Sequence, residues 1–146
     1  MSRPGGRSGV LDVMQVLWAL THALEARSKR MHRDLGITGP QRLLLRVVGQ
    51  APGCGPGTAS RRLRLDPGTV TRLAAGLERQ ALLRKEVYPL DRRRKRLVLT
   101  ARGSSLNRRH RATVEGAVRE VLATATPGEV RLARKFIDRL TERLTV

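Results

Sequence analysis

Hydrophobic positions recur at helical intervals along most of this chain and switch once to a strand-like alternation. From about Val10 to Leu35 the apolar residues Val10, Val13, Met14, Leu17, Leu20, Leu24, Met31 and Leu35 keep close to a 3.5-residue spacing. That spacing predicts one long amphipathic helix, of the kind that usually has a partner. Gly36 should end it, because glycine takes the left-handed conformation of a C-terminal cap at no steric cost. Thr38-Gly39-Pro40-Gln41 then offers a capping box, Thr38 accepting from the Gln41 amide while Gln41 reaches back, and a second helix should run to about Val48. The Gly/Pro-rich GQAPGCGPG from Gly49 to Gly57 reads as a loop.

A short helix from about Thr58 to Leu63, a turn Arg64-Leu65-Asp66 and a longer helix from Pro67 to about Gln80 make the arrangement of a helix-turn-helix. Asp66 is a favoured N-cap, and Pro67 fits the first helical position, where its missing N–H costs nothing. Val70, Leu73, Ala74 and Leu77 form the core stripe, leaving Gly68, Thr69, Thr71 and Arg72 outside it near the N-terminus. A recognition helix shows such residues to a major groove, where small hydroxyl side chains approach base edges or phosphates and arginine binds guanine in bidentate fashion. Two-helix corners with such caps also occur in proteins that bind no DNA.

The alternation comes next. Residues Leu83 to Tyr88 and Arg96 to Thr100 carry strand-favouring side chains, and PLDRRRK between them combines turn formers with cations, which predicts a hairpin with arginine at its tip. Leu97 and Leu99 should face the core while Arg96 and Val98 alternate outward. A hairpin after a recognition helix is a wing, and a guanidinium on a thin ribbon can enter a narrow, negative, A·T-rich minor groove. A further helix should begin near Ser104 with Leu106, Val114, Ala117, Val121 and Leu122 on one side. Thr126-Pro127-Gly128-Glu129 makes another capping box, opening a helix with Val130, Ala133, Phe136, Ile137, Leu140 and Leu144. These stripes exceed what one small winged domain needs, and with three aromatics in the chain a second subunit completes the bundle more easily than a larger internal core does.

Charge sharpens the picture. The 146 residues carry 30 Lys and Arg against 12 Asp and Glu, a formal net charge of +18, and 40% are hydrophobic, too many for a disordered basic tail. Such self-repulsion is most economically explained by a polyanionic partner, double-stranded DNA first and an anionic membrane surface second. No stretch approaches the roughly 18 apolar residues that span a bilayer. The start, MSRPGGRSGV, has no apolar signal core and reads as a short flexible basic tail, so the expected location is cytoplasmic. The single cysteine, Cys54, allows no internal disulfide, His22, His32 and His110 are scattered, and no phosphate loop or nucleophile elbow occurs. No catalytic residue, metal site or cofactor is therefore expected, and an enzyme is the least supported class.

The stretches LGITGPQRLLLRVV, TASRRLRLDPGTVTRLAAGLERQALLRK and LDRRRKRLVLTARG together resemble the second helix, the helix-turn-helix, and the wing with its following Thr-x-x-Gly of the MarR family of bacterial transcription regulators. The resemblance implies a mainly α fold with a small β-hairpin wing: residues 1–146 as one MarR-like domain, with a winged helix-turn-helix over 38–103 and a helical dimerisation region over 10–35 and 104–146. It implies an obligate homodimer. The most specific element is Asp91-x-Arg93 followed by Leu99-Thr100 and Gly103, and it implies that Asp91 orients Arg93 for the minor groove, with Arg94, Lys95 and Arg96 on phosphates. The function expected is a sequence-specific regulator, a repressor on a pseudo-palindromic operator. The competing expectation is a sequence-tolerant architectural or nucleoid protein. Many family members sense small aromatic acids in a pocket between dimer helices and winged domain, so a small aromatic or other organic effector is expected, with Trp18 and His22 as candidates to line its site; interface packing is their plainer use. Others sense oxidants through a cysteine in or before the first helix. Cys54 departs from that position, which favours a buried or incidental thiol.

Overall fold

The computed structural model describes residues 9–146, so the basic tail expected at the start lies outside the described residues. The chain divides after Thr113 into two compact units. The first holds α1 (Val10–Leu35), α2 (Gly39–Gln50), α3 (Pro56–Leu63), α4 (Pro67–Arg79), the antiparallel pair β1 (Leu83–Tyr88) and β2 (Asp91–Leu99), and α5 (Ala101–Arg108). The second holds α6 (Val114–Leu122) and α7 (Pro127–Leu144). This is a mainly α winged helix.

Local signals set most of the boundaries. α1 ends at Gly36, which is left-handed at φ 75°. The capping boxes at Thr38 and Thr126 form as their sequences require, each threonine accepting from the amide three residues on and each Gln41 or Glu129 side chain accepting from the cap's own N–H. The core of the first unit gathers Leu44, Leu45 and Val48 from α2, Val70, Ala74 and Leu77 from α4, and Leu82, Leu83 and Leu97 from the base of the wing. α1 buries only Met31, leaving Val10, Met14, Trp18, Leu20 and Leu24 exposed. In the second unit Val118, Val121 and Leu122 of α6 and Leu132, Phe136, Ile137 and Leu144 of α7 are exposed as well.

Three expectations need correction. The loop from Gly49 to Gly57 is shorter, because α2 continues to Gln50 and α3 already begins at Pro56. Gly49 serves the helix as a close-packing position, where a Cβ would sit 2.3 Å from the Asn107 amide nitrogen, and Pro56 takes the first helical position after Gly55. The second β-strand starts at Asp91 rather than Arg96, so most of the cationic run lies within it, and it stops at Leu99 because Thr100 turns to cap α5 by accepting from Gly103 N at 3.0 Å. The helix expected from Ser104 onward starts at Ala101 and breaks over residues 109–113.

The break has a long-range cause. Arg42, fully buried on α2, donates through Nη1 to the Leu106 carbonyl at 2.6 Å and through Nη2 to those of Asn107 and Arg109. Arg46, one turn on, donates to the Asn107 carbonyl at 3.2 Å and to its Oδ1 at 3.1 Å. The final carbonyls of α5 thus bond guanidiniums, and of these the Leu106 carbonyl also accepts from Arg109 N at 3.1 Å. Ala112 sits at φ 62° in the connection, and the buried Thr113 donates its hydroxyl to the His110 carbonyl at 2.6 Å.

Candidate nucleic-acid interface

The helix-turn-helix is closed by Arg64 in the left-handed region (φ 55°) and by Ser60, whose buried hydroxyl donates to the Leu65 carbonyl. α4 then starts with a short relay of side chains. Asp66 accepts from Thr69 N at 2.8 Å and from Thr69 Oγ1 at 2.7 Å, and Thr69 Oγ1 in turn accepts from Arg72 Nη2 at 3.0 Å. The Thr69 hydroxyl and amide hold the Asp66 carboxyl below its ordinary range. Gly68 keeps the cap open, since a Cβ there would come within 3.2 Å of Asp66 Oδ2. Arg72 and Thr71 are exposed, Gly68 is exposed, and Thr69 is half-buried with its hydroxyl engaged on both sides. Thr71 Oγ1 donates to the Pro67 carbonyl at 2.9 Å, which leaves its lone pairs outward. A guanidinium is therefore held over the exposed first turns of α4 by a threonine that itself leans on the cap.

The wing differs from the expected ribbon with arginines at the tip. β1 and β2 pair in register from Leu83↔Leu99 to Val87↔Lys95, and the next pair is Tyr88↔Asp91. The turn is Pro89-Leu90, and Arg92, Arg93 and Arg94 form a bulge on β2 between two paired residues. All three, and Lys95, are exposed. Asp91 Oδ1 accepts from the backbone N–H of Arg93 at 3.0 Å, so the acid fixes the bulge through the main chain. Arg94 and Arg96 place their guanidiniums 5.7 and 5.9 Å from the Tyr88 ring centroid. Arg96 is half-buried and bound to Glu86 at 2.8 Å, and Glu86 also takes Arg84 at 2.9 Å. Those guanidiniums, Arg84 foremost, hold the Glu86 carboxyl below its usual value. Arg96 is thus committed within the wing, whereas the bulge and Lys95 face solvent.

Sequence reasoning missed how the wing is anchored. The loop before α3 lies along its base, Leu97 N donating to the Cys54 carbonyl at 2.8 Å and Gly53 N to the Leu97 carbonyl at 3.0 Å, with Gly53 at φ 80°. The glycines around Cys54 were the available signal. Burial pushes the Cys54 thiol up, only partly opposed by the nearby Arg62 charge, so this half-buried cysteine is held as the unreactive thiol. Arg61, Arg62 and Arg64 add exposed cations along α3 and the turn, a cluster legible in SRRLR. Trp18 and His22 do meet, His22 Nδ1 lying 2.7 Å from the Trp18 carbonyl, yet both are exposed on α1. Among the described residues no helix is long and apolar enough to cross a membrane.

Residues 35–94, the span from the end of α1 into the wing bulge, match the MarR family model. Over that stretch the winged helix is similar to the MarR family. The chain is 28% identical over 106 residues to the HTH-type transcriptional repressor Rv2887 of Mycobacterium tuberculosis, covering 73% of this chain and 76% of that one. Solved structures share the fold. The MarR family transcriptional regulator Sco3205 from Streptomyces coelicolor, in complex with DNA, is 20% identical with a TM-score of 0.78 over 99% of this chain and 93% of that one. The PcaV transcriptional regulator from the same organism, in complex with its natural ligand, is 24% identical with a TM-score of 0.71 over 97% and 98%. Streptococcus pneumoniae FabT in complex with DNA is 23% identical with a TM-score of 0.70 over 94% and 98%.

Proposed function

We propose that this regulator is a cytoplasmic repressor that binds a pseudo-palindromic operator as a homodimer, α4 entering the major groove and the wing bulge the adjoining minor groove. The observation that carries the reading is the relay at the start of α4, in which Asp66 and Thr69 hold Arg72 over the exposed turn. In this role Gly68 permits close approach, Thr69 positions Arg72, and Thr71 with Arg72 reads base edges. Asp91 shapes the bulge so that Arg93 reaches into the minor groove, Arg94 and Lys95 neutralise phosphates, and Arg96 exchanges Glu86 for a phosphate or stays with it. The exposed apolar residues of α1, α6 and α7 support a second copy as their cover, residues 10–35 and 104–146 serving dimerisation and 38–103 DNA binding. Release by a small aromatic or other organic effector completes the proposal, with Trp18 and His22 as its candidate contacts.

The test is a set of titrations on an operator selected from a random duplex pool, repeated on single-base variants and at several salt concentrations. Arg72→Ala loses affinity unevenly across base variants, by about 1–3 kcal/mol at the base it reads. Arg93→Ala loses most where flanks are A·T-rich, and Asp91→Ala follows it in part although it removes a negative charge. Lys95→Ala weakens every sequence alike and lowers the log–log salt slope by about one. Tighter binding by Asp91→Ala, with uniform losses for Arg72→Ala and Arg93→Ala, would reduce these residues to a solvated cationic surface.

A further inference from the structure

The wing presents an apolar point where the sequence promised charge. Its two turn residues are Pro89 and Leu90, and Leu90 is 92% exposed, next to Val87 at 53% and Tyr88 at 39%. Neither turn residue has positive φ, so the turn is not one of those that match the twist of a two-residue hairpin, and the Arg92–Arg94 bulge takes up the register shift between the Tyr88↔Asp91 pair at the tip and Val87↔Lys95. A single exposed leucine needs no explanation on an ordinary surface. Here it stands at the extremity of a narrow ribbon, stiffened by proline, with Tyr88 held beside two guanidiniums and Asp91 fixing the backbone behind it. The tip is therefore a preorganised apolar point with cations set back along one strand.

We propose that Leu90 is a wedge: it enters the minor groove beside the operator half-site at a flexible pyrimidine–purine step, partly unstacks that step and kinks the duplex toward the major groove, while Arg92 and Arg94 take phosphates at the edges of the opening. Apolar side chains at the ends of minor-groove-binding elements act in this way, and TA and CA steps yield most cheaply to it. The inference rests on the reading that the wing enters the minor groove, and it adds a sequence preference of opposite sign to that of Arg93. Arginine insertion alone favours the narrowest groove, an uninterrupted A-tract. The wedge favours a TA step at the same A·T content.

The experiment uses the full-length protein and two operator duplexes whose flanks differ only in one TA step exchanged for AA. Affinity is measured by titration and bending by energy transfer between dyes on the duplex ends. The wild-type protein is expected to bend the TA duplex by roughly 20–90° and to bind it about tenfold more tightly than the AA duplex, one leucine's burial being enough for that factor. Leu90→Ser should lose most of the bend and the step preference, and Leu90→Met, still an apolar wedge, should keep both. Equal bending by the wild type and Leu90→Ser, with Arg93→Ala still weakening A·T-flanked operators, overturns the wedge and leaves the wing reading standing. If neither substitution changes affinity for any flank, both readings fall.

Discussion

Arg42→Met removes a guanidinium and keeps an aliphatic stem of similar reach, so it tests what breaks the helix after Arg108. The lost group donates to the carbonyls of Leu106, Asn107 and Arg109 at the end of α5, where the Leu106 carbonyl keeps Arg109 N and the Asn107 carbonyl keeps Arg46 as further donors. Hydrogen bonds from a charged donor contribute about 1.5–3 kcal/mol each, roughly 4.5–9 for three. Against this stands the cost of keeping a cation in a fully buried position, several kcal/mol, which the substitution recovers. The net destabilisation should be about 2–5 kcal/mol, the three charged-donor hydrogen bonds lost less the desolvation recovered. That is a large share of the roughly 5–15 kcal/mol that holds a domain together. Urea unfolding at fixed protein concentration is the assay, read with hydrogen exchange by mass spectrometry over residues 101–113. The midpoint should fall with an unchanged slope, exchange should rise across that segment, and Arg42→Lys should recover part of the loss, because one ammonium cannot span three carbonyls in a fork. A variant within 1 kcal/mol of the wild type and equally protected there would mean that Ala112 and Thr113 set the break locally.

Gly103→Ala should lower the melting temperature by several degrees, since the new Cβ would fall 1.9 Å from the Leu82 carbonyl oxygen and force α5 and the wing base apart. Acid should loosen the start of α4: the Asp66 carboxyl titrates below its unfolded value, so its stabilisation is complete above the ordinary carboxylate range and fades as pH falls through the depressed folded value. Amide exchange at Thr69, followed by NMR below about pH 4, should show this fraying, and Asp66→Asn should remove its pH dependence. Truncation before Thr126 should yield a monomer by light scattering and lose tight operator binding; a truncated chain that still binds tightly would separate recognition from dimerisation.

Local chemistry made much of the fold legible. The Gly36 stop, the capping boxes at Thr38 and Thr126 and the Asp66 cap depend on residues within one helical turn, and each is where its sequence puts it. What failed depended on distant partners. The interruption after Arg108 is set by Arg42 and Arg46, more than sixty positions earlier, and a periodic stripe from Leu106 to Leu122 cannot reveal it. The loop before α3 shrank because Gly49 packs against Asn107. On the wing, five consecutive cations looked like turn material, yet strand pairing claims Asp91, Lys95 and Arg96 and leaves only Arg92–Arg94 bulged, so the tip passes to Pro89-Leu90. The α4 residues were legible as an exposed set. Their relay was not, because nothing in the spacing of Asp66, Thr69 and Arg72 says that one hydroxyl serves both neighbours.

Quantitative footprinting on a long duplex carrying the selected operator tests binding at a defined site most directly. Two α4 helices related by a dyad must meet the same side of the duplex, so half-sites should lie about 10 base pairs apart or a multiple of that. Binding through a defined operator predicts one short protected palindrome with that spacing, saturated at concentrations at least a thousandfold below those that protect the remaining sequence. Protection spreading over the whole duplex at similar affinity would contradict it, and would make the +18 charge the signature of a sequence-tolerant architectural protein.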